Sequence, residues 1–96
     1  MALRFQWDIH KATANIQKHG VSFDEAATVF RDGLARIFDD EDHSAEESRE
    51  IIIGHSAAGR LLLVSLTEKA DNTVRIVSAR VATKRERRNY EKNGND

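Results

Sequence analysis

Along the first third of this chain the apolar positions change period twice. From Leu3 to Trp7 they alternate, with Leu3, Phe5 and Trp7 on one side and Arg4 and Gln6 on the other, the pattern of a short strand with one buried face. Asp8 can then accept amide hydrogens from a first helical turn, and Ile9, Ala12 and Ile16 follow at i, i+3, i+7, so the spacing predicts a helix over 8–19 with that stripe in the core. Gly20 suits the left-handed residue after the helix end, with Val21 reaching back to Ile16. Ser22 and Glu25 make a capping box for a second helix over 22–31, whose core stripe is Phe23, Ala26, Ala27 and Phe30. Asp32-Gly33 ends it.

The remainder reads mainly as strands. Leu34 to Phe38 is the least regular of them. Arg49 to His55 is centred on three isoleucines, Arg60 to Thr67 returns after a loop closed by Gly59, and Val74 to Val81 follows a turn at Asp71-Asn72. Consecutive strands on short connections imply an antiparallel meander, and unbroken apolar runs imply cover on both faces. Thr83 and Glu86 form another capping box, starting a helix over 83–92, with residues 93–96 as a frayed tail. The expected fold class is α+β: one domain over 1–96, a small antiparallel sheet of about four strands, two N-terminal helices packed on it and a C-terminal helix.

Composition narrows the classes. With 96 residues, 40% hydrophobic and 32% charged, the chain is a globular single domain with a modest core. It has no cysteine, hence no disulfide framework or thiolate metal site, and no apolar run long enough to span a bilayer. No secretion signal is visible, so the expected location is cytoplasmic, with no membrane role. Net charge is −1 but unevenly spread. Residues 1–50 hold 6 Lys or Arg against 11 Asp or Glu, a net −5, and residues 51–96 hold 9 against 5, a net +4. Such asymmetry points to a nucleic-acid surface, or to acids and bases that meet within the fold.

The cations concentrate where the last strand hands over to the last helix. Arg75, Arg80, Lys84, Arg85, Arg87, Arg88 and Lys92 stand there against only Glu86 and Glu91. This is a phosphate-facing surface, or else a solvated helix with ion pairs such as Arg87–Glu91 at i, i+4. Lys84, Arg85, Arg88 and Lys92 fall on one stripe. No two histidines share a helix face at metal-ligand spacing, so no metal site and no cofactor are expected.

A set of short motifs, in order, resembles the BrnT family: Phe5-Gln-Trp-Asp8, Lys18-His-Gly20-Val-Ser-Phe23, Ala26-Ala-Thr-Val-Phe30, Glu47-Ser-Arg49, Ile53-Gly54, Gly59-Arg-Leu-Leu62, Arg75-Ile-Val-Ser-Ala-Arg80, Ala82-Thr83, Glu86-Arg87 and Tyr90-Glu91. The chain departs from the family's pattern at Ile9 and Gly33, where proline is common. The resemblance implies a RelE-like fold, ribonuclease activity, and the toxin's place in a type II toxin–antitoxin pair. The implied partner is BrnA, a small DNA-binding antitoxin, which would neutralise the toxin in a hetero-oligomer and connect it to operator DNA only indirectly.

Metal-independent RNA cleavage needs a base for the 2′-hydroxyl, cations for the charged phosphorane and an acid for the leaving oxygen. Arginine suits the second role because its planar fork binds phosphate bidentately and keeps its charge. Arg80, Arg60 and Arg49 stand at strand ends and are the catalytic candidates, each with the alternative of a rim arginine paired to an acid. His19 is the candidate base or acid, and the helix dipole alone also favours it there. His43, inside the acidic run, is a lesser one, and His10 and His55 have no constellation. Arg75, Lys84, Arg85, Arg88 and Tyr90 are the RNA-binding candidates. A rival reading is a non-catalytic module that holds nucleic acid or an acidic partner through the basic helix.

Overall fold

The structure, a computed structural model, describes residues 2–41 and 48–94, so His43 and the rest of the segment 42–47 lie outside the described residues. Five strands are present: β1 (Arg4–Gln6), β2 (Arg36–Asp39), β3 (Glu50–His55), β4 (Leu61–Lys69) and β5 (Thr73–Val81). The helices are α1 (Ile9–His19), α2 (Phe23–Thr28) and α3 (Lys84–Gly94). A 3-10 turn, Val29–Arg31, follows α2, so the second helix is shorter than its apolar stripe suggested. Conversely α3 runs on to Gly94, two residues beyond the expected end.

The strands form one sheet in the order β1-β5-β4-β3-β2. Its centre is the antiparallel meander expected from the short connections. The turn at Asp71-Asn72 has both residues at positive φ (62° and 61°), the geometry that matches the strand twist of a tight hairpin. The expectation of a purely antiparallel sheet needs correcting at one edge, where β1 pairs with β5 in parallel. That pairing follows from the chain path, because α1, α2 and the meander intervene and bring β5 alongside β1.

The first two helices cover one face of the sheet. Between them and it lies the main core of Val21, Phe23, Ala26, Val29, Ile52, Leu62, Val64, Leu66, Val74, Ile76 and Ala79. Trp7 packs edge-on against Phe23, with ring centroids 5.8 Å apart. The cap at Asp8 is as expected, since its Oδ1 accepts from the amides of His10 and Lys11. Gly20 takes the left-handed conformation after α1 (φ 68°) and its amide donates to the Ile16 carbonyl.

The expected core stripe of α1 is corrected by the structure. Ile9 is 68% exposed and Ile16 50% exposed, while Asn15 is buried. The reason is a polar anchor. The Asn15 amide donates to the carbonyls of Val21 (2.9 Å) and Ala79 (2.8 Å), and its oxygen accepts from the Ala79 amide (3.1 Å). Three buried backbone groups are satisfied this way, and that sets the roll of the helix against β5 in place of the isoleucines.

Candidate nucleic-acid interface

The second face of the sheet is built by register. Residues directly opposite one another share a face, and side chains alternate along each strand. Arg36, Ile53, Leu63 and Arg80 therefore form one row across β2, β3, β4 and β5. Phe38, Ile51, Ser65 and Ser78 form the next, and Thr67 with Arg75 and Gln6 the one after. Between Ser65–Ser78 and Leu66–Ile76 the register shifts by one, leaving Val77 as the extra residue of a bulge in β5.

This arrangement divides the strands' charges completely. Arg4, Arg36, Lys69, Arg75 and Arg80 all fall on the second face, while Asp39, Glu50 and Glu68 all fall on the face that carries α1 and α2. The acids crowd one another there. A hydrogen bond to Glu68, with burial and the Asp39 charge adding to it, pushes Glu50 up to about 7.

Helix α3 crosses the cationic face. Glu86, Asn89 and Tyr90 sit at i, i+3, i+4 and turn toward the sheet, where Tyr90 packs on the small cluster of Ile53, Leu61 and Leu63. The result is a cleft of about 410 Å³. Its floor is apolar (Phe38, Ile51, Ile53, Leu63), its far wall is α3, and Arg36 and Arg80 stand at opposite ends of the Ile53–Leu63 row.

Arg80 makes a two-pronged bond to Glu86, Nη1 to Oε1 at 2.7 Å and Nη2 to Oε2 at 2.8 Å. Glu86 also accepts from the Thr83 amide at 2.9 Å, and Thr83 Oγ1 accepts from the Glu86 amide at 3.1 Å, completing the expected capping box. The cap and the cleft are thus one network. Arg80 above all pulls the Glu86 carboxyl down to about 2, and the arginine is raised in turn. A carboxylate that acidic is a poor proton acceptor, so its role is to aim the guanidinium. At the other end, the Arg36 guanidinium lies 5.2 Å from the centroid of the Tyr90 ring, and the Tyr90 hydroxyl donates to the Leu34 carbonyl at 3.1 Å.

The remaining candidates are dispersed. Arg60 belongs to the helical face: its Nε donates to Glu25 at 3.0 Å and its Nη2 to the Gly20 carbonyl at 3.1 Å. Glu25 accepts from Ser56 Oγ as well, so the second capping box forms only halfway, with Ser22 capping the Glu25 amide and the carboxylate spent on Arg60. His19 ends α1 on that same side. Arg49 immediately precedes β3 and projects onto the cationic face one step beyond Ile51. Lys84, Arg85 and Arg88 are exposed on the outer side of α3. His55, set aside in the sequence, does have company. Its amide donates to Asp32 Oδ2 at 2.8 Å, which helps hold that carboxyl below its usual range, and its ring meets Tyr90 edge-on at 5.8 Å. Arg36, Phe38 and Asn89 were missed. The alternation Arg36-Ile-Phe38 was visible, but only the pairing of β2 with β3 shows which face it presents. Among the described residues no three His, Asp or Glu side chains are grouped so as to hold a metal ion, and no helix is long and apolar enough to cross a membrane.

Comparison with known proteins decides the lineage. The family model described as "Ribonuclease toxin, BrnT, of type II toxin-antitoxin system" matches residues 7–86. The chain belongs to the BrnT family. It is therefore a member of a family of ribonuclease toxins, and a type II system implies an antitoxin partner and an RNA target. The crystal structure of the Brucella abortus ribonuclease toxin, BrnT, superposes with a TM-score of 0.67 at 22% identity, over 86% of this chain and 100% of that one. This places the present α+β sheet and helices within the BrnT fold. No curated protein sequence matches the chain.

Proposed function

We propose that this BrnT-family chain cleaves RNA on the cationic face of its sheet, without a metal ion, and that in the cytoplasm a co-encoded DNA-binding antitoxin holds it inactive. Unrestrained cleavage would then halt translation and growth. The observation that carries this reading is the separation of charge by register, which gathers the strands' cations on the face crossed by α3 and ends them at the apolar cleft. RNA supplies its own nucleophile in the 2′-hydroxyl, so the protein's largest task is to hold the phosphate and neutralise the phosphorane. Arg80, kept charged and aimed by Glu86, is the group for that, with Arg36 at the far end of the row. The apolar floor and the Tyr90 ring suit an unstacked base.

The test is cleavage of a fluorogenic RNA oligonucleotide by purified protein in EDTA. Wild type should cut, and Arg80→Ala should lose about 10²–10³ in rate, the range for removing one transition-state contact to developing charge. Activity that vanishes in EDTA and returns with Mg²⁺ would overturn the metal-free mechanism. Tight RNA binding with no cleavage under any condition would favour a non-catalytic binding module.

A further inference from the structure

The cleft occupies only part of the cationic face. Four residues along β4 from Leu63, about 13 Å at the usual strand rise, the register brings a second group of donors together. Thr67 is directly opposite Arg75. On its other side Glu50 is opposite Leu66, so the next step of the same pairing sets Arg49 beside Thr67. Thr67 is only 2% exposed, and its hydroxyl has no hydrogen-bond partner. The Nε of Arg49 is likewise buried without one. Among the described residues these are the two buried side-chain polar atoms left unsatisfied, and one further step of the β3–β4 register would make them neighbours.

A buried polar group left without a partner is costly to the fold. Two side by side on the face already singled out by charge have a common remedy, which is an acceptor. Arg49 Nε and the Arg75 guanidinium can only donate, and the Thr67 hydroxyl can donate too. Asp40, whose amide donates to the Arg49 carbonyl at 2.9 Å, stands opposite Arg49, yet Arg49 Nε and the Thr67 hydroxyl remain without a hydrogen-bond partner. A tetrahedral phosphodiester offers the acceptors that such a donor set lacks. Between this row and the cleft stand Ser65 and Ser78, opposite one another, so hydroxyls line the way.

Resting on the reading that the cleft takes RNA, we propose that Arg49, Thr67 and Arg75 form a second phosphate subsite, which grips the backbone of the same strand a few nucleotides from the scissile one. Arg49 is then an affinity residue rather than a catalytic one. Thr67 lies at the bottom of the subsite, flanked by the two arginines.

The test is binding of uncleavable 2′-O-methyl RNA by fluorescence anisotropy across a salt series. A trinucleotide reaches the cleft alone, and a decanucleotide reaches both sites. Arg49→Gln and Arg75→Gln should each weaken the decanucleotide about tenfold and lower the salt slope by about 0.7, the value for one phosphate contact on a single strand. Neither should change trinucleotide binding. Thr67→Val removes the unsatisfied hydroxyl at nearly constant shape, so it should melt no lower than wild type yet bind the decanucleotide more weakly. Equal losses on both lengths would place these residues at the cleft or in the fold and overturn the subsite. So would undiminished decanucleotide binding, including the case in which only antitoxin binding is lost and the row is a protein contact. The parent reading is tested separately by Arg80→Ala, which should weaken both lengths, and by wild type itself, whose failure to bind either RNA would sink both proposals.

Discussion

Arg75 and Arg80 lie on the same face of β5 although five residues separate them, a spacing that in a regular strand puts two side chains on opposite faces. The bulge at Val77 supplies the missing step. It lets Ile76 and Ala79, an odd distance apart, both enter the main core, and in doing so it delivers Ser78 and Arg80 to the cleft. Core packing and site geometry are therefore set by a single extra residue.

That placement makes the Arg80 side chain separable from the fold. Arg80→Ala leaves Glu86 partly wetted and still bonded to Thr83, so the expected loss of stability is small, about 1 kcal/mol or less. Arg80→Lys should remain nearly as inactive as the alanine variant, because an ammonium cannot make the planar two-pronged bond to Glu86 or to phosphate. Single-turnover cleavage beside a thermal melt checks this. Full activity in a folded Arg80→Lys protein would reduce Arg80 to a point charge.

Arg60 gives the opposite expectation. It ties the start of β4 to Glu25 and to the end of α1, so Arg60→Ala should lower stability measurably but modestly, because the guanidinium is solvated, with a rate constant for cleavage close to wild type. Urea unfolding and single-turnover kinetics on the same sample separate the two effects. A stable Arg60→Ala protein that has lost cleavage would return Arg60 to the site.

Much of this was readable in the sequence, and the gaps have physical causes. Caps are local, so Asp8, Ser22, Gly20 and the Thr83–Glu86 box could be placed from spacing alone. The strands of the meander followed from β-branched runs and turn residues. Facing is not local. Of the stripe Ile9–Ala12–Ile16 only Ala12 packs against the core, because three hydrogen bonds from Asn15 to backbone roll α1 away from its two isoleucines. Arg60 looked like Arg80 because both stand at strand ends, and only pairing shows that they sit on opposite faces. The bulge that makes Arg75 and Arg80 neighbours leaves no mark on a sequence rich in β-branched residues throughout.

The Asn15 anchor carries a prediction of its own. Asn15→Ala leaves the Val21 and Ala79 carbonyls and the Ala79 amide without partners in a buried place, at about 2–4 kcal/mol in total. For a domain of this size that is a fall in Tm of roughly 10–25 °C. Asn15→Asp should fare no better, since a carboxylate would face two carbonyl oxygens. Melts of both variants within a few degrees of wild type would show that α1 is held by something else.

Stability should also fall across neutral pH. The hydrogen bond to Glu68, with burial, pushes Glu50 up to about 7 in the folded protein, against 4.5 for a free glutamate. The folded state thus binds the proton more tightly, and this contribution is fully present below about 4.5 and lost as pH rises through 7. The denaturation midpoint should drop between pH 5 and pH 8, and Glu50→Gln should flatten that drop. Glu86 acts in the other direction at acid pH. Its carboxyl is held at about 2, so its contribution is present above 4.5 and lost as pH falls toward 2. A Glu50→Gln protein with the wild-type slope between pH 5 and 8 would remove Glu50 as the cause.

The antitoxin should meet the outer side of α3. Lys84, Arg85 and Arg88 are exposed there, on the helix whose inner side forms a wall of the cleft. Glu91, the nearby acid of the helix, is drawn to Arg87 at 3.9 Å, which leaves the stripe strongly positive. An acidic or amphipathic segment laid along α3 and over the adjoining strand ends would be steered by that charge and would close the cleft to RNA. Reversing Lys84, Arg85 and Arg88 to glutamate should slow association with the antitoxin and remove most of its salt dependence. Because these side chains point away from the cleft, cleavage of a trinucleotide should persist in the same variant, while inhibition by the antitoxin is weakened. Affinity measured by titration calorimetry at two salt concentrations decides the matter. Unchanged affinity with unchanged salt dependence would move the partner to the opposite face of the sheet, over α1 and α2, where inhibition would have to act through the fold instead of by covering the cleft.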